Sequence, residues 1–211
     1  MGFKRWYDET IVSRVVSCGC GMEEISELRR NVVPLASGRV FELGCGGGFN
    51  QQHYDVDKVT GFCGIDPNHA LLEGAMARAR EKGWETDIRA GFGEDIPFAD
   101  GSFDSVVCTY TLCSVNDPRK VLSELRRILK PGGQFLFLEH GKAPDPGPQK
   151  WQRRVEPVWK RLTGNCHLTR PVIASVERGG FTVEGSGKGY QEKGPKWLGW
   201  MEWGVARKAG A

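Results

Sequence analysis

Glu42 is followed at every second position by glycine, in the run Glu42-Leu43-Gly44-Cys45-Gly46-Gly47-Gly48, and the residues before it, Arg39-Val40-Phe41, have the pattern of a strand. Glycines directly after a strand let bare backbone and helix-terminal N–H groups approach a ligand at the carboxyl edge of a sheet. A second acid, Asp66, closes the next apolar run, 20 residues after Gly46. A carboxylate there accepts hydrogen bonds from the two hydroxyls of a ribose. The chemistry implied is the holding of a nucleoside cofactor. A dinucleotide is disfavoured, because the sixth position of G-x-G-x-x-G, where glycine or alanine makes room for a pyrophosphate, is Phe49.

The elements that must hold these residues alternate along the chain. Residues 1–37 read as helical, with Ile11, Val12, Val15 and Val16, then Ile25, Leu28 and Val32, at helical spacing; Gly19-Cys20-Gly21 separates two helices and Pro34 ends the second. Strands are predicted over 39–43, 60–65, 86–90, 103–108 and 135–139. Helices are predicted from Pro67-Asn68 to about Lys82 and from Asp117 to Leu129. This alternation implies parallel strands joined by right-handed crossovers, an α/β Rossmann-like fold. Residues 141–169 break it. Pro144, Pro146 and Pro148 predict an extended linker, and Trp151, Val155, Trp159 and Leu162 a helix bent at Pro157, together an insertion above the sheet. A helix over 170–178 and strands over 181–184 and 200–206, joined by a loop over 185–199, predict a C-terminal antiparallel pair. The expected whole is one domain, 1–211, with a seven-stranded, mostly parallel sheet.

Composition excludes several classes. Of 211 residues, 26% are charged and 39% hydrophobic, which is too apolar for a disordered chain. No stretch approaches the roughly 18–20 apolar residues of a spanning helix. A net charge of +3 is too small to imply nucleic acid. The residues from Gly141 onward nevertheless carry 13 Lys and Arg against 6 Asp and Glu, and five of the seven Trp. One reading of that tail is a peripheral membrane or anionic-ligand contact; the other is a solvated face over a packed aromatic edge. Seven scattered cysteines and no Cys-x-x-Cys predict reduced thiols and no metal site, with Cys18-Gly19-Cys20 and Cys166-His167 the only metal-like clusters.

The run Glu42-x-Gly44-x-Gly46-x-Gly48 resembles motif I of the class I S-adenosylmethionine (SAM) methyltransferases. SAM has no phosphate, so an acid near the loop is tolerable. The stretch from Gly93-Glu94-Asp95 to Phe103-Asp104 is similar to the motif after strand 3 of the ubiquinone/menaquinone-type enzymes, and Leu129-Lys130-Pro131-Gly132-Gly133 to their turn before strand 5. The family often has an acid two positions before Glu94, where this chain has Phe92; the resemblance leaves the adenine amino group to Glu94 or Asp95, with Phe92 against the ring. It implies SAM as cofactor, held by Glu42, Gly44, Cys45, Gly46, Gly48, Asn50, Asp66, Pro67, Gly93, Glu94, Asp95, Cys108 and Thr109.

A narrower resemblance spans about 39–207. Asn50 and Tyr54, the run Val107 to Val115, Glu139-His140, Trp151-Gln152, Glu156-Pro157-x-Trp159-Lys160 and Cys166-x-Leu168-Thr169-Arg170 resemble the animal alkyl-thiol S-methyltransferases. Those begin with a membrane-anchoring segment. The first residues here show no continuous apolar run, so the expectation is a soluble, cytoplasmic relative, monomer or homodimer, whose acceptor need not be the same.

Methyl transfer from a sulfonium is an in-line displacement, in which alignment and exclusion of water matter most. A thiol near pKa ~8.5 needs little base help at neutral pH. His140, at the end of strand 5, reads either as base or orienting group or as a structural imidazole. Tyr110 reads as a wall near the methyl or as rim packing. Trp6, Tyr7, Trp151 and Trp159 read as a lid over an apolar acceptor or as core packing. Cys113 and Cys166-His167 read as acceptor contacts, or Cys113 as a buried thiol at a helix start. The expected function is methylation of a small hydrophobic acceptor, a thiol first. The alternatives are a quinone-like ring or phospholipid amine at a membrane surface, and a catalytically idle SAM-binding protein.

Overall fold

The computed structural model describes residues 23–210. Seven strands form one sheet: β1 (Gly38–Leu43), β2 (Val59–Asp66), β3 (Glu85–Ala90), β4 (Phe103–Thr109), β5 (Leu129–His140), β6 (Phe181–Tyr190) and β7 (Trp200–Lys208), in the order β3-β2-β1-β4-β5-β7-β6. Strands β1 to β5 run parallel, and β7 pairs antiparallel with both β5 and β6. The expected doubly flanked sheet with a C-terminal antiparallel pair is therefore present. Among the described residues five α-helices accompany it: α1 (Glu23–Arg29), α2 (His69–Glu81), α3 (Pro118–Ile128), α4 (Pro146–Leu162) and α5 (Val172–Arg178). The N-terminal reading is covered only in part: Trp6, Tyr7, Cys18 and Cys20 lie outside the described residues. No helix among the described residues is long and apolar enough to cross a membrane.

Alternation along β1 shows why the sheet is clad on both sides. Phe41 joins a core with Phe103, Phe135 and Phe137 and the apolar faces of α3 and α5. Its neighbour Val40 points the other way, into a core with Phe62, Leu136 and the Leu72-Ala75-Ala79 face of α2. The helices start where side chains replace missing backbone partners. Asn68 caps α2 by accepting from Ala70 N, and Asp117 caps α3 by accepting from Arg119 N and Lys120 N, with Pro118 in the first turn. Strand order reverses between β1 and β4, so the crevice at the carboxyl ends of these two strands is where such a sheet receives a ligand.

Two elements differ from the sequence reading. Pro146 and Pro148 belong to the first turn of α4, where no intrahelical donor is needed, so the linker is shorter than its prolines suggest. The first six residues of the expected 185–199 loop are strand, and the loop proper is 191–199. Strand β6 continues to Tyr190 because Gly187 lies flat across the Trp203 ring of β7; a Cβ there would come within 2.4 Å of that ring. Its glycines conceal the strand pattern.

Candidate active site

The turn after β1 is held by backbone. Gly44 N and Cys45 N both donate to Ile65 O, at 2.8 and 3.1 Å, and Gly48 N donates to Cys45 O. Gly44, Gly46 and Gly48 all have positive φ, a region that disfavours side chains. At Gly44 there is also no space: a Cβ would sit 2.0 Å from Thr111 Oγ1. Gly46 is different. A Cβ there would meet nothing nearer than Asp66 Oδ2, Leu71 Cδ1 and Gly44 O, at 3.8, 3.9 and 4.0 Å, so the turn leaves a cradle beside the Asp66 and Leu71 side chains. Asp66 is fixed by two N–H donors, from Gly46 to Oδ2 at 3.0 Å and from Asn68 to Oδ1 at 2.8 Å. Burial raises its pKa, and these two bonds oppose the rise.

Beneath the turn, Glu42 is 2% exposed. Its Oε1 accepts from Asn50 Nδ2 at 3.0 Å and its Oε2 from Tyr54 OH at 2.8 Å, while Asn50 Nδ2 also donates to Thr109 Oγ1 at 2.9 Å. Burial pushes the Glu42 carboxyl up to about 8, against the pull of Tyr54 and of the Arg29 charge. Arg29, on α1, went unnoticed in the sequence because nothing local marks it. Its side chain is buried, with the guanidinium over the rings of Tyr110 (5.2 Å) and Phe49 (5.9 Å).

The other expected cofactor residues fall into two groups. Glu42, Gly44, Cys45, Gly46, Gly48, Asn50, Asp66, Pro67 and Thr109 surround the turn. Cys45 and Cys108 are core thiols there, both with pKa raised first by burial; Cys108 donates its S–H to Glu139 Oε1. The 92–95 segment behaves differently. Glu94 Oε1 accepts from Asn116 N and Asp117 N, which ties it to the start of α3, and Gly93 is buried, a Cβ there meeting Leu43 at 3.0 Å. Asp95 is exposed and Phe92 is 63% exposed. Of these two acids, Asp95 is the one whose carboxylate is not occupied by that loop.

Beside the turn stands a wall made of side-chain anchors. Tyr110 has φ 55°, a conformation uncommon outside glycine, fixed by its N–H to Leu138 O. Its ring meets that of His140 edge to face at 5.3 Å. Glu139 is buried and accepts from Thr111 N, Leu112 N and Cys113 N at 2.9, 2.9 and 3.1 Å. Glu156 of α4 accepts from Leu168 N and Thr169 N, both at 3.0 Å. Arg170 donates to Leu112 O and Val115 O, Asn165 Nδ2 to Ser114 O, and His167 N to Cys113 O. The β4–α3 loop and the 163–170 segment are thereby laced together.

That lacing brings together Cys113, Cys166 and His140, which no local spacing groups. The two Sγ atoms are 3.5 Å apart, and Cys166 Sγ lies 4.0 Å from His140 Nδ1. The hydrogen bond with Cys113 pulls Cys166 well below the ordinary thiol range, and the neighbouring imidazole adds to it. For His140, burial lowers the pKa, but Cys166 outweighs it and the net direction is up. Val155, Trp159, Trp197 and Leu198 pack round the sulfurs. Trp159 meets Trp197 edge to face, whereas Trp151 is 55% exposed with Arg154 against its ring. Of the expected lid aromatics described, one packs and one does not. A hollow of about 310 Å³ lined by Arg39, Thr60, Gly61, Cys63, Glu85, Thr86 and Asp87 lies toward the amino ends of β1–β3, away from all of these residues.

Comparison with known proteins gives this arrangement its context. The methyltransferase domain family matches residues 41–137, from β1 through β5. Thiol S-methyltransferase TMT1B of Rattus norvegicus is 46% identical over 150 residues, 68% of this chain and 59% of that protein. Thiol S-methyltransferase TMT1A of Homo sapiens is 35% identical over 190 residues, 85% of this chain and 76% of that one. The chain thus spans about three-fifths of the TMT1B relatives and three-quarters of TMT1A. Among solved structures, a chain from the complex of the Haloferax volcanii Trm112 methyltransferase activator with a methyltransferase superposes with a TM-score of 0.70 at 17% identity, covering 99% of both chains, a likeness of fold. With the acid–glycine turn at the switch point and an identity that carries through the insertion, the chain belongs to the class I SAM-dependent methyltransferases.

Proposed function

We propose that the chain methylates the sulfur of a small hydrophobic thiol. The observation that carries this reading is the wall itself. Its anchors, Glu139, Glu156 and Arg170, with His140 and Cys166, are segments shared in pattern with thiol S-methyltransferases, and they converge on one side of the glycine turn. The cradle over Gly46 and its flanking acids suit SAM: Asp66 for the ribose diol, Arg29 for the methionyl carboxylate, Glu42 as a hydrogen-bond acceptor toward the methionyl ammonium, Asp95 at the rim toward adenine. When bound, SAM supplies an electrophilic methyl on a sulfonium.

The chain's own residues then have mainly positional work. A thiol is a few per cent thiolate at neutral pH and is already a strong nucleophile. Tyr110 and His140 form the wall along which its sulfur is aligned, and the apolar side chains of Val155, Trp159, Trp197 and Leu198 exclude water from it. Calorimetry with SAM and steady-state turnover with a series of alkanethiols test the reading. Asp66→Ala should weaken SAM by about 1–3 kcal/mol, the scale of lost charged hydrogen bonds. Turnover should be found with thiols and rise with pH through the acceptor's pKa. SAM binding with no thiol methylated would sink the acceptor assignment.

A further inference from the structure

Among the described residues, Cys113, His140 and Cys166 are the one group of His, Cys, Asp or Glu side chains whose ligand atoms all lie within 4.8 Å of one another. A tetrahedral zinc ion with Zn–S of about 2.3 Å and Zn–N of about 2.0 Å separates its ligands by roughly 3.8 Å (S to S) and 3.5 Å (S to N). The observed Sγ–Sγ and Sγ–Nδ1 distances, 3.5 and 4.0 Å, are already close to these edges. Only small side-chain rotations separate the trio from a coordination face.

The surroundings are those of a built site. Cys113 is placed by Glu139 through its own backbone N–H and by His167 N on its carbonyl. Cys166 lies between Asn165, bonded to Ser114 O, and the Leu168-Thr169 amides held by Glu156. Such outer partners fix ligands as firmly as the ligands fix a metal. Two thiolates neutralise a divalent ion, so until the acceptor binds, the site among Trp159, Trp197 and Leu198 carries no net charge, and the acceptor thiolate's charge is then matched by the donor's sulfonium. Among the described residues no fourth ligand joins the group. Three ligands with an open position is the arrangement of catalytic zinc, not structural zinc.

We propose that Cys113, His140 and Cys166 bind a zinc ion whose open position takes the acceptor sulfur. This rests on the thiol reading above. On binding, both cysteine S–H groups and the acceptor S–H lose their protons to solvent as three metal–sulfur bonds form. The acceptor sulfur then uses a lone pair to form the bond to the methyl carbon while the donor's C–S bond breaks, its pair staying on the departing sulfur. The product thioether is a neutral, weaker ligand and leaves the ion.

The test uses the full chain, reduced and freed of metal, titrated with Co²⁺ and then Zn²⁺. One Co²⁺ per chain with thiolate-to-cobalt charge-transfer bands, displaced by Zn²⁺, is expected. Cys113→Ser and Cys166→Ser should each weaken uptake by about 100-fold or more, while Cys166→Ser keeps its SAM affinity as a check on folding. An added alkanethiol should shift the visible cobalt bands, and metal removal should lower thiol turnover at least about tenfold until Zn²⁺ restores it. Cobalt uptake without charge-transfer bands, wild-type affinity in both variants, or a Cys113–Cys166 disulfide that survives reduction and blocks uptake would overturn the site. Full turnover by the metal-free chain overturns the ion's role and leaves the thiol reading intact. A loaded chain that methylates no thiol overturns that reading and leaves the site.

Discussion

The glycine turn and the wall proposed to face the acceptor touch at Gly44 and Thr111, yet they are built on opposite plans. The turn is one continuous stretch from Glu42 to Asn68 in which backbone groups make most of the contacts, and its acids come from the ends of adjacent strands. The wall is drawn from the β4–α3 loop, the end of β5, α4 and the 163–170 segment, and its contacts run from the buried Glu139 and the half-buried Glu156 and Arg170 to the backbone of distant residues. A ligand common to a family can be held by a short local device. A surface that chooses among acceptors is assembled over long range, where each segment can change alone.

The sharpest way to break this contrast is Glu139→Ala. It leaves the Thr111, Leu112 and Cys113 amides without their acceptor inside the core, at about 1–3 kcal/mol for each unsatisfied buried group. With partial relaxation the fall in stability should be about 3–5 kcal/mol, read as a lower urea midpoint. The cofactor turn meets Glu139 only through Thr111 and Cys108, so where the variant stays folded SAM affinity should fall far less than turnover. Equal loss of both would show that the two regions are one unit.

Next in size is the point where they meet. Gly44→Ala combines a φ of 70° with a Cβ driven into Thr111, and should cost about 2–4 kcal/mol. Removing the obstruction with Thr111→Gly should recover the steric part but not the backbone part. A double-mutant cycle measures that coupling; additive effects would mean that the turn and the wall do not bear on each other.

The same contrast explains what was readable beforehand. Strand and helix order, the sheet, the turn, Asp66 and its distance from Gly46 were all legible, because each depends on neighbours within about one strand–helix unit. Arg29 was not, since its place over Tyr110 and Phe49 follows from tertiary packing of α1 and nothing adjacent in the chain marks it. The sequence offers Cys113 and Cys166 together as acceptor contacts but does not join His140 to them: metal-ligand spacing rules look for near neighbours, and these three sit on three elements. Glu94 drew a cofactor role from its motif, whereas its carboxylate is bonded to the start of α3. Strand β6 was cut short because Gly185, Gly187 and Gly189 carry no alternation to read.

A finer probe of the turn is the pH dependence that Glu42 confers. Its folded pKa, about 8, lies above the ordinary 4.5, so between these values the folded chain holds a proton that the unfolded chain has released. That contribution to stability is full below about 4.5 and is lost as pH rises through about 8. Glu42→Gln keeps a neutral acceptor for Tyr54 OH and removes the titration. The variant should gain about 3–4 kcal/mol on the wild type between pH 5 and pH 9, followed by urea midpoints across that range. Parallel pH profiles for the two proteins would mean that Glu42 is ionised in the fold throughout.

The smallest expected effect sits on the outer face of the wall. Trp151 and Trp159 are eight residues apart on α4, and the sequence offers both as covers for an apolar acceptor. Trp151 is 55% exposed with Arg154 against its ring at 5.8 Å, whereas Trp159 packs on Trp197 beside the Cys113–Cys166 sulfurs. Trp151→Ala should therefore change stability by no more than about 0.5 kcal/mol, as surface substitutions do, and leave the KM for a long alkanethiol unchanged. Trp159→Ala should raise that KM, because it opens the apolar packing around the sulfurs. The reverse ranking would mean that α4 rolls to present Trp151 when an acceptor arrives, and that the wall is a moving part instead of a fixed one.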